Sequence, residues 1–355
     1  MIINYFGITE KGNFRSHNED SMYVSGEIVA GNVSGSFSSS GIRDSASSPL
    51  IFALADGMGG HISGEVASRM TLEKLAWTER AVQPLEELPH AGWQSLFSII
   101  NHEINDHAKA TGKLGMGATL VGILFGKRKV LVFNMGDSRA YHFSSKGIHK
   151  ITVDHSFSGF IKENQISRSY ITSCIGGGTT DLQMDLFDIT SSLSPGDRIL
   201  LCTDGLTDVI KIDDLEEILK NASNVKEACY HLLEEANLRM TRDNTSIIVI
   251  EVQEVMLARS ESRKLTPSEK NGKGKKKFPF GVFSKEERNG KSDFLNISKN
   301  PKPAPLLCFG LSPLIFSKYN SFTSSSVRDN KCSNFACKED AVSGLKKFAV
   351  ESFKI

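Results

Sequence analysis

Ile51-Phe52-Ala53-Leu54-Ala55-Asp56-Gly57-Met58-Gly59-Gly60-His61 decides how this chain is read. Five consecutive apolar residues describe a strand buried on both faces, and the strand ends in an aspartate followed by glycines. A carboxylate left at a sheet edge, beside backbone that carries no side chains, allows oxygen atoms to approach a cation. One aspartate does not hold a catalytic divalent ion, so other carboxylates must stand in like settings. Glu19-Asp20 precede the strand-like Ser21-Met22-Tyr23-Val24, and Leu200-Leu201-Cys202-Thr203 runs into Asp204-Gly205. Asp137 follows the run Val130 to Gly136, and Asp243-Asn244 opens onto the β-branched run Thr245 to Val249. Taken singly, each is a turn signal. Their joint occurrence at strand ends points to one oxygen-lined site.

The same residues carry a resemblance. In chain order they are Arg15 ahead of Glu19 and Asp20, the block DGMGGHISGEVAS from Asp56 to Ser68, Gly117-Ala118-Thr119 and Gly136-Asp137-Ser138-Arg139-Ala140. Asp154-His155-Ser156, Asp204-Gly205-Leu206-Thr207-Asp208 and Asp243-Asn244-Thr245 follow. Together they resemble the metal-dependent protein serine/threonine phosphatases of the PP2C (PPM) family, and Met58 and His61 are similar to its bacterial branch. The resemblance covers residues 1–253. It implies an α+β fold, a four-layer αββα sandwich of two mainly antiparallel sheets flanked by helices, with the metals in the channel between the sheets. It implies further that Asp56 bridges two cations, that the Gly57 carbonyl contributes to one, and that Asp204 and Asp243 complete the other. Glu19 and Asp20 would act through water, and Asp137 would help Asp204 hold a weaker third cation. The implied function is hydrolysis of phosphoserine and phosphothreonine in proteins by a metal-activated water, opposing a serine/threonine kinase. A phosphoprotein-binding regulatory module of the same fold and a hydrolase of small phosphate esters are the alternatives. The first would lack one of Asp56, Asp204 or Asp243, and all three are present. The second shares the metal site.

The chemistry agrees with the residue types. A phosphate monoester repels hydroxide, so its hydrolysis needs charge neutralisation and a nucleophile available near neutral pH, which a two-cation site supplies. Hard oxygen ligands favour Mn2+ or Mg2+. The nine histidines are scattered and no HExxH occurs, which argues against zinc. Arg15 is the natural phosphate clamp, since its planar guanidinium donates two parallel bonds and keeps its charge; its other reading is an ion pair with the neighbouring acids. The general acid is unassigned. Animal members of the family carry a histidine after the first Asp-Gly, whereas Met58 stands there and His61 lies three residues on.

Composition divides the chain. The net charge of +1 conceals two opposed parts: residues 254–355 hold 20 Lys and Arg against 10 Asp and Glu, leaving 22 against 31, or −9, for residues 1–253. The domain expectation is a phosphatase domain over 1–253 and a basic, low-order tail over 254–355. The run Lys270 to Lys277 reads as linker, and Pro305 to Phe316 and Leu345 to Phe353 as short apolar patches. Such a tail suits an acidic partner or a membrane surface, or docking on its own domain; no specific nucleic-acid binding is expected, and the protein is expected to be a monomer. No secretory signal and no run of spanning length are visible, so cytoplasmic location is the default. Six cysteines show no metal-type pairing, and Cys202 and Cys229 read as core thiols.

Strands are expected over 2–9, 21–24, 50–55, 118–125, 130–135, 139–143, 184–189, 198–202 and 245–252. Helices are expected over 64–78, over 93–110 with Leu96, Ile100, Ile104 and His107 on one stripe, and over 215–240 with a break near Asn221. The Ser/Gly-rich residues 25–49 read as a surface insertion beside the mouth of the site. Residues 157–174 read as a shortened substrate-facing flap.

Overall fold

The computed structural model describes residues 1–30, 36–59, 62–81, 84–161 and 166–255. Strands β1 (Ile2–Glu10), β2 (Asp20–Val24), β3 (Glu27–Ala30), β4 (Ser36–Asp44) and β5 (Leu50–Met58) lead into helices α1 (Ile62–Ala81) and α2 (His90–Thr111). Next come β6 (Gly117–Ala118), β7 (Leu120–Phe125), β8 (Val130–Met135), β9 (Arg139–Ser144), β10 (Gly147–Lys150), β11 (Ser156–Ile161) and β12 (Ile166–Ile171). Then follow β13 (Ile175–Gly176), β14 (Asp185–Asp188) and β15 (Arg198–Cys202). The short α3 (Asp204–Thr207), α4 (Ile212–Asn221) and α5 (Val225–Leu238) precede the last strand, β16 (Thr245–Glu254).

Side-chain alternation builds the layers. In β5, Leu50, Phe52 and Leu54 face one way, together with Met22 and Val24 of β2 and Val121, Ile123, Val130 and Val132 of the β7–β8 hairpin. They meet Ile3, Tyr5, Ile199, Leu201, Ile248, Ile250 and Val252 from a second sheet. The intervening residues Ile51, Ala53 and Ala55 turn outward onto Leu72, Leu75, Trp93, Phe97 and Ile100 of α1 and α2. On the far side, Phe6, Ile8, Leu200, Cys202, Ile247 and Val249 pack on Leu215, Leu219, Cys229, Leu232 and Leu233 of α4 and α5. Period-two alternation thus gives two sheets packed face to face with a helical layer outside each, the expected αββα sandwich.

One sheet runs β10-β9-β15-β16-β1-β4; the other runs β13-β6-β5-β7-β8-β14 and carries β2 and β3 on β5. The neighbours are antiparallel, and short turns join β2 to β3, β9 to β10 and β7 to β8, the last through Gly126 to Lys129, where the Gly126 N–H donates to the Lys129 carbonyl at 2.8 Å. Helix ends follow local chemistry. Gly112, left-handed at φ 69°, closes α2 with its N–H on the Ala108 and Lys109 carbonyls. The Asn224 side chain caps α5 by accepting from the Glu227 N–H, which puts the break between α4 and α5 after Asn221.

Three expectations change. Within residues 25–49, where no strand is expected, β3 pairs with β2, and β4 pairs along the whole of β1. Serine-rich β4 is an edge strand whose exposed face accepts polar residues, which hides it from a hydrophobic-run criterion. The apolar stripe of α2 passes through Ala108 rather than His107 and includes Asn101 and Asn105. These asparagines bind the Gly176–Thr179 turn: their Oδ1 atoms accept from the Gly176 and Gly178 N–H groups, and both Nδ2 groups donate to the Thr179 carbonyl. The flap segment forms its own β11–β12 hairpin. Cys202 and Cys229 are buried thiols as expected. His61, the tail beyond residue 255 with its charge run and apolar patches, and Cys308, Cys332 and Cys337 lie outside the described residues. Among the described residues no helix is long and apolar enough to cross a membrane.

The α2-facing layer generates a test. Phe133 stacks on Trp93 and contacts Phe97, with centroids 5.7 and 5.4 Å away, and lies over its cross-strand partner Gly122, where a Cβ would sit 2.3 Å from its ring. Gly122→Ala is expected to destabilise by about 1–3 kcal/mol through overpacking, and Phe133→Ala by about 3–5 kcal/mol through the cavity it leaves. In the Phe133→Ala background the Gly122→Ala penalty should shrink, because the added methyl enters that cavity; urea unfolding of the four proteins measures the coupling.

Candidate metal centre

The alternation that fills the inter-sheet core also places the acids. Asp56 continues the Leu50, Phe52, Leu54 face of β5, and Asp20 continues the Met22, Val24 face of β2; the two are cross-strand partners. From the opposite sheet, Thr203 continues the Ile199, Leu201 face and Ser246 the Ile248, Ile250 face. Hydroxyls from one sheet therefore meet a carboxylate from the other. Asp20 Oδ2 accepts from Thr203 Oγ1 at 3.0 Å and from Ser246 Oγ at 2.6 Å. Asp20 is the innermost acid, only 1% exposed, while Asp56, Asp137, Asp204 and Asp243 are partly accessible.

Electrostatics shows that the predicted residues converge. The Asp56 carboxyl is held well above the ordinary range, first by burial and then by the charges of Asp20, Asp204, Asp243 and Asp137. Asp204 is pushed up to about 8 by burial and by Asp137, Asp243 and Asp208. Burial pushes Asp20 up to about 7 against the opposing hydrogen bonds of Ser246 and Thr203. Asp137 and Glu19 are raised as well, chiefly by burial. Asp20 Oδ1, Asp137 Oδ1 and Asp204 Oδ1 are buried without a hydrogen-bond partner, an arrangement that is unfavourable unless a cation, a proton or water meets it. Among the described residues no three Asp, Glu, His or Cys side chains close on one point as a complete ligand set. Carbonyl oxygen and water would be the remaining donors, which suits hard cations that keep part of their hydration shell.

Backbone contacts fix the rim. A Cβ on Gly57 would lie 2.1 Å from the Gly64 carbonyl oxygen and 2.7 Å from that of Glu19, so only glycine lets the start of α1 and the Glu19 loop close on the end of β5. The Gly57 N–H donates to the Glu19 carbonyl at 3.1 Å. Thr119 brackets Asp56, its N–H donating to the Asp56 carbonyl at 2.9 Å and its Oγ1 accepting from the Asp56 N–H at 3.1 Å. The same hydroxyl lies 2.7 Å from Ser138 Oγ, next to Asp137. Arg15 sits at the rim with its side chain half exposed and forms an ion pair with Asp243, and the charges of Glu19 and Asp56 act on it too. The pairing reading of Arg15 is thus realised in the structure, and its exposed guanidinium stands beside the acids. Asp208 and Glu65 stand in the sequence motifs but carry no assigned role there; their charges act on Asp204 and Glu19 respectively. Thr203, Ser246 and Thr119 likewise have no role assigned from the sequence. Their signal was the parity of a polar residue on an otherwise apolar strand face.

Comparison with known proteins agrees with this geometry. The sequence profile of the protein phosphatase 2C family matches residues 38–240. A serine/threonine phosphatase stp of Listeria innocua is 30% identical over 255 residues, covering 68% of this chain and 93% of the relative. The structure of the Mycobacterium tuberculosis serine/threonine phosphatase PstP superimposes with a TM-score of 0.54 at 27% identity, covering 72% of this chain and all of that one. The catalytic domain of PstP solved in complex with two manganese ions gives a TM-score of 0.53 at 28% identity, over 71% and 99% of the two chains. With the αββα sandwich, the matching profile and these relatives in agreement, the chain belongs to the protein phosphatase 2C family and is a protein serine/threonine phosphatase.

Proposed function

We propose that this phosphatase removes phosphate from phosphoserine and phosphothreonine side chains of proteins at the acidic cluster around Asp56, reversing the product of a serine/threonine kinase. The observation that carries the reading is a set of mutually raised carboxylates with orphaned oxygens lying beside the Arg15 guanidinium. Asp56, Asp204, Asp243 and the Gly57 carbonyl would hold two Mn2+ or Mg2+ ions. Glu19 and Asp20 would assist through water, and Asp137 with Asp204 would offer a weaker third position. The manganese ions of the PstP structure support this assignment. Bound there, the cations would neutralise phosphoryl charge and acidify water at neutral pH.

The protein's own groups set the geometry. Asp20, hydrogen-bonded across the sheets to Thr203 and Ser246, orients one wall of the cluster. Thr119 and Ser138 fix the backbone of Asp56 relative to the Asp137 loop. Arg15 would exchange its Asp243 partner for phosphoryl oxygens, a fork-to-phosphate contact that orients the ester. Met58, after the first Asp-Gly, can neither donate nor accept a catalytic proton, so the proton donor to the leaving alkoxide stays unassigned, with water the simplest substitute. The phosphatase unit is proposed to end near residue 253, since β16 closes its sheet at Glu254.

Stability and metal binding should run in opposite directions with pH. Asp204 near 8 and Asp20 near 7 lie above a carboxyl of the unfolded chain at about 4. The folded metal-free protein therefore binds more protons at these groups in this window, and their contribution to stability should be fully present below about pH 4, fall from there to about pH 8, and level off above. Affinity for Mn2+ should rise over the same range. Asp204→Asn should raise the metal-free melting temperature and abolish Mn2+-dependent turnover of an aryl phosphate. Scanning fluorimetry across pH, with and without Mn2+, measures both; full turnover of Asp204→Asn at saturating metal would remove Asp204 from the site.

Arg15→Lys keeps the charge and loses the planar fork. Phosphate binding should weaken by on the order of 1–3 kcal/mol, the range for hydrogen bonds to charged groups, read as a higher KM for aryl phosphate. Kinetics identical to wild type would leave Arg15 as a partner of Asp243 alone.

A further inference from the structure

The loop at residues 11–17 carries Arg15, contains no strand or helix and is largely exposed. Such a loop places a guanidinium to no better than the precision of its anchors. Among the described residues, the hydrogen bonds that join it to elements outside itself come from two neighbours in sequence, Asp243 and Asn244. Asn244 is 3% exposed. Its Nδ2 donates to the carbonyls of Lys11 at 2.8 Å and His17 at 2.9 Å, which spans the loop from end to end. Its Oδ1 accepts from the Glu19 N–H at 2.8 Å. Its own N–H donates to Asp243 Oδ1 at 2.8 Å, while Asp243 Oδ2 takes Arg15. Behind it, a Cβ on Gly205 would meet the Asn244 carbonyl oxygen at 2.0 Å, so its backbone also lies against the Asp204 turn.

We propose that Asn244 is a positioning residue that fixes the Arg15 loop relative to Asp243 and Asp204, and so sets where a phosphoryl group is held against the acidic cluster. The inference rests on the reading of Arg15 as the phosphate clamp. An amide suits the task because it offers two donors to two carbonyls and one acceptor to an N–H without adding charge. Aspartate in its place would oppose a carboxylate to the Lys11 and His17 carbonyls. Serine would satisfy only part of the set.

The test is a double-mutant cycle in the full-length chain, with inorganic phosphate as inhibitor of aryl phosphate hydrolysis at saturating Mn2+. Arg15→Ala and Asn244→Ala should each raise the phosphate Ki by about tenfold, and the double variant should stay within about twofold of Arg15→Ala, since both remove the same contact. Asn244→Ser should lie between Asn244→Ala and wild type, and serves as the second variant if Asn244→Ala does not fold. A lowered melting temperature with unchanged Ki in the Asn244 variants means a structural role only and overturns the proposal. So do effects that multiply to about a hundredfold in the double variant, because independent contributions add as free energies. If Arg15→Ala alone leaves Ki unmoved, the clamp reading has failed, and the Asn244 proposal falls with it for a different, recognisable reason.

Discussion

Mutual repulsion among carboxylates at the open end of an apolar sandwich is the constraint on which the rest of this structure turns. Asp20 and Asp56 face each other across adjacent strands, where like charges are destabilising, and Asp204, Asp243 and Asp137 add theirs from three further strand ends. Burial removes the water that would screen them. The cost is borne by a scaffold whose two sheets are joined through Leu50, Phe52, Leu54, Ile199, Leu201, Ile248 and Ile250. Ions of opposite charge relieve the repulsion, which couples cation binding directly to the stability of this end of the molecule.

Each acid is held by a different kind of support, and the supports explain the division of labour. Asp20 is locked by Thr203 and Ser246 from the facing sheet, so its movement would require the sheets to shift. Asp56 is held by its backbone through Thr119, and its carboxyl meets that of its cross-strand partner Asp20. Asp204 starts a single helical turn, and Asp243 precedes a strand. Both are steered by loop contacts, among them the close approach of Asn244 to Gly205. Strands carry the inner acids Asp20 and Asp56, and loops and strand ends carry the outer ones.

Much of this was legible in the linear order of residues. Apolar runs ending in Asp-Gly marked the strand ends, and the motifs from Arg15 to Thr245 named the family, because strand burial and turn chemistry are local properties that a short window records. β4 escaped notice because an edge strand exposed on one side has no apolar signature. The α2 stripe was misassigned at His107 because Asn101 and Asn105 are buried by the Gly176–Thr179 turn, a partner some 70 residues away.

What the sequence determined by itself was the set of chemical groups and the alternation that turns Asp20, Asp56, Thr203 and Ser246 toward a common layer, since side-chain parity in a strand needs no distant information. Only tertiary structure decided which groups met: that Arg15 pairs with Asp243 at a sequence separation of 228 residues, and that Asn244 reaches back to Lys11, His17 and Glu19. Those contacts exist because β16 pairs with β1 along its length, which brings residues 245–254 against residues 2–10. A pairing of that range is set by how whole sheets pack, not by any window of neighbouring residues.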